Sequence, residues 1–252
     1  MLKHRLVVVL ILSEGQIVQS VQFKLTNVIH AHPDIAVDFF NLWAVDEIVL
    51  LDVSRSTDKR DRFYDALDKL SRKCMVPLAV GGWVTSIEEM KRLLGLGADK
   101  IILNTAAVRN PSLITEGALC FGRQCMVVSI DARRQADCTY RVHIDRGREP
   151  TEHDPVLWAQ QARDVGAGEL FLNCIDNDGF RKGYDLKLLK AITSSVNIPV
   201  VAMGGVFTWQ HLVEGITLGG ADAVAAANIF HYTEHSTKKA KKHMRNSGVN
   251  VR

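Results

Sequence analysis

Short apolar runs alternate with amphipathic segments along the whole chain. Eight of these runs are predicted to form strands, and they cover residues 6–11, 47–52, 77–82, 100–104, 125–131, 169–174, 199–205 and 223–228. Most are apolar at successive positions, which is typical of strands covered on both faces in a parallel sheet. The segments between them repeat apolar residues every three or four positions, as at Phe63, Leu67 and Leu70, and are predicted to be helices. Eight strand–helix units predict an α/β fold, namely a single (β/α)8 TIM barrel.

The second half of the sequence resembles the first half. Residues 76–108 and 198–230 share a glycine pair after one strand and a Gly-Ala-Asp before the next. The repeat predicts one domain, residues 1–252, made of two similar half-barrels, roughly residues 1–122 and 123–252. In this alignment Ile11, at the end of the first strand, corresponds to Asp131, at the end of the fifth.

Composition excludes several classes of protein. Of the 252 residues, 47% are hydrophobic and 23% are charged, as in globular domains, and the net charge of +3 gives no basic signal for nucleic-acid binding. No apolar stretch is long enough to span a membrane, and the N-terminus lacks the pattern of a signal peptide. The five cysteines have no metal-ligand spacing. We therefore expect a cytoplasmic protein with reduced thiols, no metal and no cofactor.

Paired glycines and asparagines follow strands at two equivalent places. Gly82 and Gly205 each follow another glycine at a strand end, and Asn104 and Asn228 end the next strands. Glycine lets backbone N–H groups approach an anion closely, and phosphates commonly bind at this face of a barrel. The pattern predicts a phosphate site in each half, and tight turns are the alternative use of the same glycines.

Carboxylates gather at the same face. Four aspartates lie at or just past the carboxyl ends of predicted strands: Asp52, Asp131, Asp176 and Asp178. Such groups can act as general acids or bases, and loop capping is the alternative. Asp131 favours the chemical role because it ends a strongly apolar strand. Two long segments, residues 13–32 and 132–154, are predicted to be active-site lids, and the second alternates like a small hairpin.

The opposite ends of the strands also carry charge. Four side chains whose charges sum to zero begin the first, second, fourth and sixth strands: Arg5, Glu47, Lys100 and Glu169. They would balance one another as a buried ring if all pointed into the barrel. Charged residues at strand starts are more often solvated, so spacing alone favours separate, solvated strand ends.

Several motifs together resemble the cyclase subunit of imidazole glycerol phosphate synthase, the HisF family. They are VGG with NTAAV, SIDARR, GAGELFLNCIDNDGFRKGYDL, and MGG with AAANIFH, and the similarity runs nearly from end to end. The resemblance implies a HisH-like glutaminase subunit that docks on the N-terminal face of the barrel and releases ammonia. It also implies that ammonia passes through the barrel and reacts at the other end with a bisphosphate ribulosyl intermediate.

The resemblance implies roles for individual residues. Asp131 corresponds to one of two catalytic aspartates, and Asp99 lies where the family contacts its glutaminase. The charged strand starts correspond to an ammonia gate: Arg5, Glu47, Lys100 and Glu169. The phosphate-binding positions form two groups, with Gly82, Asn104 and Thr105 in the first and Asp178, Gly179, Gly204, Gly205 and Asn228 in the second.

Departures from the family pattern lie at the carboxyl end of the barrel. Ile11 stands where the family has its main catalytic aspartate, and Gln19 stands where a lysine is usual. Four further replacements alter the surroundings of this end: Trp83, Asn173, Met203 and Phe207. Losing one proton-transfer group typically lowers a rate by about 10²–10⁴-fold. These departures resemble a HisF-like branch that works with a HisH-like glutaminase and a sugar amidotransferase in amidating sugars of bacterial surface polysaccharide.

Three hypotheses for the function follow. The first is an ammonia-conducting subunit with cyclase activity weak or lost. The second is a cyclase of histidine biosynthesis with a rearranged base at Asp52 or Asp176. The third is a stand-alone phosphosugar isomerase or binding barrel, which would have no use for an intact gate. In each case a small phosphorylated ligand is compatible, and we expect neither a nucleic-acid partner nor a membrane span.

Overall fold

Eight parallel strands close into a barrel, as the sequence predicts. The computed structural model describes residues 3–22, 24–231 and 234–252. For residues 24–26 it describes the backbone only. The strands of these residues are β1 (Arg5–Ser13), β2 (Gln16–Val21), β3 (Lys24–His30), β4 (Glu47–Asp52), β5 (Leu78–Gly81), β6 (Lys100–Leu103), β7 (Met126–Arg134), β8 (Tyr140–Ile144), β9 (Glu149–Pro150), β10 (Glu169–Cys174), β11 (Val200–Met203) and β12 (Ala223–Ala226). The barrel order is β1, β4, β5, β6, β7, β10, β11 and β12, and β12 pairs with β1 to close the ring.

Helices connect the strands and cover the outside of the barrel. They are α1 (Pro33–Leu42), α2 (Arg60–Ser71), α3 (Ile87–Gly95), α4 (Thr105–Arg109), α5 (Ser112–Phe121), α6 (Pro155–Asp164), α7 (Leu186–Thr193), α8 (Trp209–Thr217) and α9 (Ser236–Asn246). Side chains cap several of them; Asp154 and Asp185, for example, accept hydrogen bonds from the first N–H groups of α6 and α7. Within the described ranges, every helix lacks the length or the apolar character needed to span a bilayer.

Alternate positions of the barrel strands point inward and form an apolar core separate from the one beneath the helices. The strand register places Val7 of β1 beside Ala225 of β12, and Phe171 of β10 beside Val201 of β11. The inner core consists mainly of Val7, Val9, Val49, Ala79, Ile102, Val127, Phe171, Val201, Ala223 and Ala225. The middle of the barrel is therefore lined largely by apolar side chains, with charged and polar groups gathered toward its ends.

Two hairpins extend the barrel at its carboxyl end. β2 and β3 follow β1, and β8 and β9 follow β7, so the first and fifth strands of the barrel each continue into an antiparallel extension. The second hairpin confirms the prediction made from the alternating pattern of residues 132–154. Its Arg146 donates a hydrogen bond of 2.7 Å to the Ser54 carbonyl in the other half of the barrel. The hairpins thus lie at the mouth where the strand-end side chains meet.

Candidate functional site

The four predicted gate residues form one closed ring of ion pairs at the amino end of the barrel. Arg5 pairs with Glu47 and Glu169 through its two terminal nitrogens. Lys100 Nζ lies 2.8 Å from Glu47 Oε1 and 2.7 Å from Glu169 Oε2, so both carboxylates are shared by both cations. The side chains of Glu47 and Glu169 are only 3% and 6% exposed. The ring, which spacing alone did not favour, is the arrangement that the structure has.

Mutual pairing keeps this ring charged. Burial opposes the negative charge of Glu169, but Arg5 and Lys100 outweigh it and lower the pKa of Glu169. The two positive and two negative charges cancel, as they must where an unpaired buried charge would cost several kcal/mol. The result is an electrically neutral constriction that leads into the apolar interior.

At the other end of the barrel, Asp131 is buried between two amide groups. Asn173 Nδ2 donates to Asp131 Oδ1 and Asn104 Nδ2 donates to Asp131 Oδ2, both at 3.2 Å. Burial raises the pKa of Asp131 to about 7; the hydrogen bond from Asn173 opposes the rise, and the charge of Asp178 adds to it. A carboxyl group with this pKa can hold or release a proton near neutral pH.

Apolar side chains fill much of the same mouth. Ile11, the equivalent of Asp131 in the first half, is 7% exposed. It belongs to the inner core together with Met203, Val53 of the β4–α2 loop and Val18 of β2. Val18 reaches this core because β2 folds back antiparallel to β1. The first hairpin therefore places an apolar side chain in the barrel mouth.

The same hairpin contacts the second group of predicted phosphate residues. The Gln22 N–H donates to Asp178 Oδ2 at 3.0 Å, and Asn228 Nδ2 donates to the Ser20 carbonyl at 3.3 Å. Val21 lies so close to Gly179 that a Cβ on Gly179 would be 2.6 Å from Val21 Cγ1. Atoms of the chain itself thus occupy space beside this predicted phosphate position.

Backbone packing accounts for glycines in both predicted phosphate groups. A Cβ on Gly82 would lie 2.3 Å from the Asp52 carbonyl oxygen, and one on Gly205 would lie 2.3 Å from the Gly183 carbonyl oxygen. Gly204, which precedes Gly205, has a φ of 102°, a value that disfavours other residues. These positions need glycine with or without an anion, so their phosphate role stays a prediction.

Arg60, at the start of α2, is a buried residue that the sequence analysis missed. Its guanidinium lies 2.5 Å from Asp52 Oδ2 and 2.8 Å from Glu89 Oε1, and it donates to the Gly82 carbonyl at 2.7 Å. The Asp52 carboxylate is therefore fixed in an ion pair. A lone arginine at a polar helix start gives no sequence signal of this role, because its partners come from other elements. Thr105 belongs to the first group of predicted phosphate residues. Its Oγ1 accepts a hydrogen bond of 3.0 Å from a backbone N–H of the turn between β8 and β9.

Asp176, the other alternative base, lies toward the outside of the mouth. Its side chain is 38% exposed and accepts the Arg134 N–H at 2.7 Å. Burial instead singles out Asp131 and Asp178, because it raises their pKa values to about 7 and about 6. The environments of Asp131 and Asp178 therefore suit proton transfer near neutral pH.

His143 of β8 is a second residue that the sequence analysis missed. It stands directly opposite Asp131 in the β7–β8 ladder, so both side chains lie on the same face. Its Nδ1 lies 3.2 Å from the Gly147 carbonyl, while its buried Nε2 has no hydrogen-bond partner among the described residues. Burial and, after it, the charge of Arg133 lower its pKa. The alternation in the sequence indicated a hairpin, but only the strand register shows that His143 lies opposite Asp131.

Asp99 lies at the amino face of the barrel, at the start of β6. Its side chain is exposed, and Oδ2 accepts the Leu78 N–H at 2.8 Å. The equivalent residue of the second half, Asp222, accepts the Val200 N–H at 2.9 Å in the same way. Asp99 therefore has a structural role at a strand start and is also accessible to a docking partner.

The match to a known family covers most of the chain. A family model described as histidine biosynthesis protein matches residues 5–236. The chain belongs to the histidine biosynthesis protein family. The family comprises HisF-like and HisA-like barrels, in agreement with the closed eight-stranded barrel and with the resemblance found in the sequence.

Removal of the Asp131 carboxyl should flatten the pH dependence of stability. Its pKa is raised to about 7, so the folded protein holds a proton that the unfolded chain releases, and stability is lost as the pH rises toward 7. Urea unfolding of Asp131→Asn should show a loss of unfolding free energy between about pH 5 and pH 8 that is smaller by about 3 kcal/mol than in wild type. Asp178→Asn, whose parent pKa is about 6, should give a smaller change. An unaltered slope in Asp131→Asn would mean that Asp131 is ionised throughout.

Proposed function

We propose that the protein is the HisF-like barrel subunit of a glutamine amidotransferase system. It receives ammonia from a HisH-like glutaminase at the amino face and conducts it through the barrel. The ammonia serves amidation of a surface-polysaccharide sugar by a separate amidotransferase, and cyclase activity is weak or lost. The observation that carries the proposal is the closed ring of four charges at the entrance to an apolar interior: Arg5, Glu47, Lys100 and Glu169.

The composition of the ring and the interior supports a path for a small neutral molecule. An apolar interior penalises ions far more than neutral molecules, so it favours ammonia over ammonium. Buried ion pairs are often no more stabilising than apolar residues of similar volume. Stability alone is therefore a weak reason for keeping four buried charges in a barrel mouth, whereas a gate in front of a partner's active site is a strong one.

The carboxyl end supports the loss of cyclase activity. Ile11 occupies the position of one of the two catalytic aspartates, and Val18 packs in the same inner core. The first hairpin also contacts Asp178 and Gly179, which correspond to a phosphate site of the family. The catalytic base that acts on a bisphosphate substrate in the family is therefore missing here, and the chain itself fills part of the space that the substrate would need.

A cyclase of histidine biosynthesis is the alternative, and one observation favours it. Asp131 keeps the position of a catalytic aspartate, with a pKa of about 7 that suits a general acid or base. Asp52 is held by Arg60, and Asp176 is turned outward. The second proton-transfer group would then be Asp178, which is buried and has a pKa of about 6.

The two functions differ in one measurable reaction. With free ammonia and the bisphosphate ribulosyl intermediate, we expect the wild-type protein to form no measurable imidazole glycerol phosphate. Ile11→Asp alone should restore little or none, because Val18 and the remaining replacements still alter the mouth. Product is measured by chromatography. A turnover of about 1 s⁻¹ or faster in the unmodified protein, as in ordinary enzymes, would establish the cyclase instead.

The ring should control how tightly ammonia release and use are coupled. Lys100→Met leaves two buried carboxylates with one arginine, a change that can cost about 3–5 kcal/mol. We expect the variant to fold but to let ammonia escape, so that more glutamate forms per amide product in a mixture of barrel, glutaminase and amidotransferase. Lys91→Met, at an exposed position of α3, is the control and should keep the wild-type ratio. An unchanged ratio in Lys100→Met would show that ammonia does not pass through this barrel.

Docking of the glutaminase should depend on Asp99. Asp99→Lys reverses a charge at the expected contact, and binding measured by calorimetry should weaken by at least about tenfold, as for loss of a charged interface contact. Asp222→Lys loses the equivalent hydrogen bond at the start of β11, so it controls for local damage to a strand. Equal binding by the wild-type and Asp99→Lys proteins would show that Asp99 is not the contact.

A further inference from the structure

The carboxyl end of the barrel interior contains a buried acceptor without a donor. Asn173 is 5% exposed, and its Nδ2 is used in the hydrogen bond to Asp131. Its Oδ1 is buried and has no hydrogen-bond partner among the described residues. The neighbouring Gly204 has no side chain, and a Cβ there would lie 3.0 Å from this oxygen. Such an uncompensated acceptor is costly, so a donor that arrives from outside would stabilise it.

The groups around this oxygen are also acceptors. Asp131 and Asn173 are adjacent across the β7–β10 register, and both side chains are buried in the mouth. Asp178 is near enough for its negative charge to act on Asp131. The cluster therefore has two carboxyl groups and an amide oxygen without a partner among the described residues, and its amide donors already bond to Asp131.

The chemistry of the cluster defines the ligand. It must donate several hydrogen bonds, it should carry positive charge to offset the carboxylates, and it must be small because Val18 and Ile11 fill the adjoining mouth. Ammonium has four N–H donors and one positive charge on a single heavy atom. Water has two donors and no charge, and among the described residues no three His, Cys, Asp or Glu side chains are placed to hold a metal ion.

We propose that Asp131 and Asn173 form a binding site for ammonium at the end of the barrel interior. The inference rests on the proposed function, in which ammonia arrives along the barrel. An arriving ammonia molecule takes the proton of the Asp131 carboxyl group, so that one N–H bond forms and one O–H bond breaks. The products are ammonium and the Asp131 carboxylate, held as an ion pair with an N–H directed at Asn173 Oδ1.

The protonation of Asp131 makes binding dependent on pH. The groups that face Asp131 are Asn104 directly after β6, Asn173 from β10, Asp178 from the loop after β10, and His143 across the β7–β8 ladder. Asp131 has a pKa of about 7, so at pH 6 most of the free protein carries its proton. Binding of ammonium added as a salt at pH 6 must therefore release that proton into the buffer. Well above the pKa, Asp131 is already ionised, and binding releases no proton.

The test uses the isolated wild-type chain and ammonium chloride, with sodium chloride at equal ionic strength as the reference. Calorimetry in two buffers of different ionisation enthalpy should show saturable ammonium binding, with release of close to one proton at about pH 6 and almost none at about pH 8.5. Asp131→Asn should abolish both signals. Equal responses to the two salts, or binding without proton release at the lower pH, would overturn the proposal and leave water as the donor to Asn173.

Two matched variants isolate the free acceptor. Asn173→Leu and Asn104→Leu each remove one amide donor from Asp131, but only Asn173→Leu removes the unpartnered oxygen. We expect ammonium affinity to fall by about tenfold more in Asn173→Leu, as for loss of a hydrogen bond to a charged group. Asn173→Val, which also lacks a side-chain acceptor, takes its place if the leucine variant does not fold. Equal affinities in the two variants would overturn the assignment of Asn173.

Ammonium binding by the isolated chain needs no partner protein. A failure here is therefore distinct from a failure of the conduction proposal, which depends on the Lys100→Met coupling ratio. If ammonium does not bind but coupling is lost in Lys100→Met, the barrel conducts ammonia without holding it. If ammonium binds but coupling is unchanged, the site exists and its ammonia comes from solution.

Discussion

The neutrality of a closed interior is the constraint on which the rest of this structure depends. A barrel of eight strands has a narrow core in which an unpaired charge would cost several kcal/mol. The amino end meets this constraint by sharing two carboxylates between Arg5 and Lys100. The middle meets it with apolar side chains, and the carboxyl end by raising the pKa of Asp131. Each level of the barrel therefore meets the same constraint with different side chains.

Strands that correspond in the sequence repeat differ in the side chains at the carboxyl end of the barrel. Equivalent strands end in Ile11 and in Asp131, and each is followed by a hairpin. The first hairpin inserts Val18 into the inner core, whereas the second places His143 on the face of Asp131. Apolar side chains therefore lie on one side of the mouth, and polar side chains lie on the other. The division into half-barrels itself stays a prediction from the sequence repeat.

The sequence predicts the strands and helices well because their signals are local. All eight barrel strands and the second hairpin follow from periodicity and from residues close in the chain. The ion-pair ring could not be chosen from spacing, because a strand start is solvated or buried according to which neighbours face it. Arg60 and the free oxygen of Asn173 were missed for the same reason, since their surroundings come from strands and loops far away in the sequence.

The two ends of the barrel are chemically complementary under the proposed function. The ring and the apolar core favour neutral ammonia, so a proton left behind at the entrance must be supplied again wherever ammonium is held. Asp131 can supply it, because its burial keeps the proton on the carboxyl group up to about pH 7. Proton transfer creates an ion pair in the same buried place, and the pair is stabilised only if further acceptors surround the cation. Asn173 Oδ1 is such an acceptor, because it is buried and has no hydrogen-bond partner among the described residues.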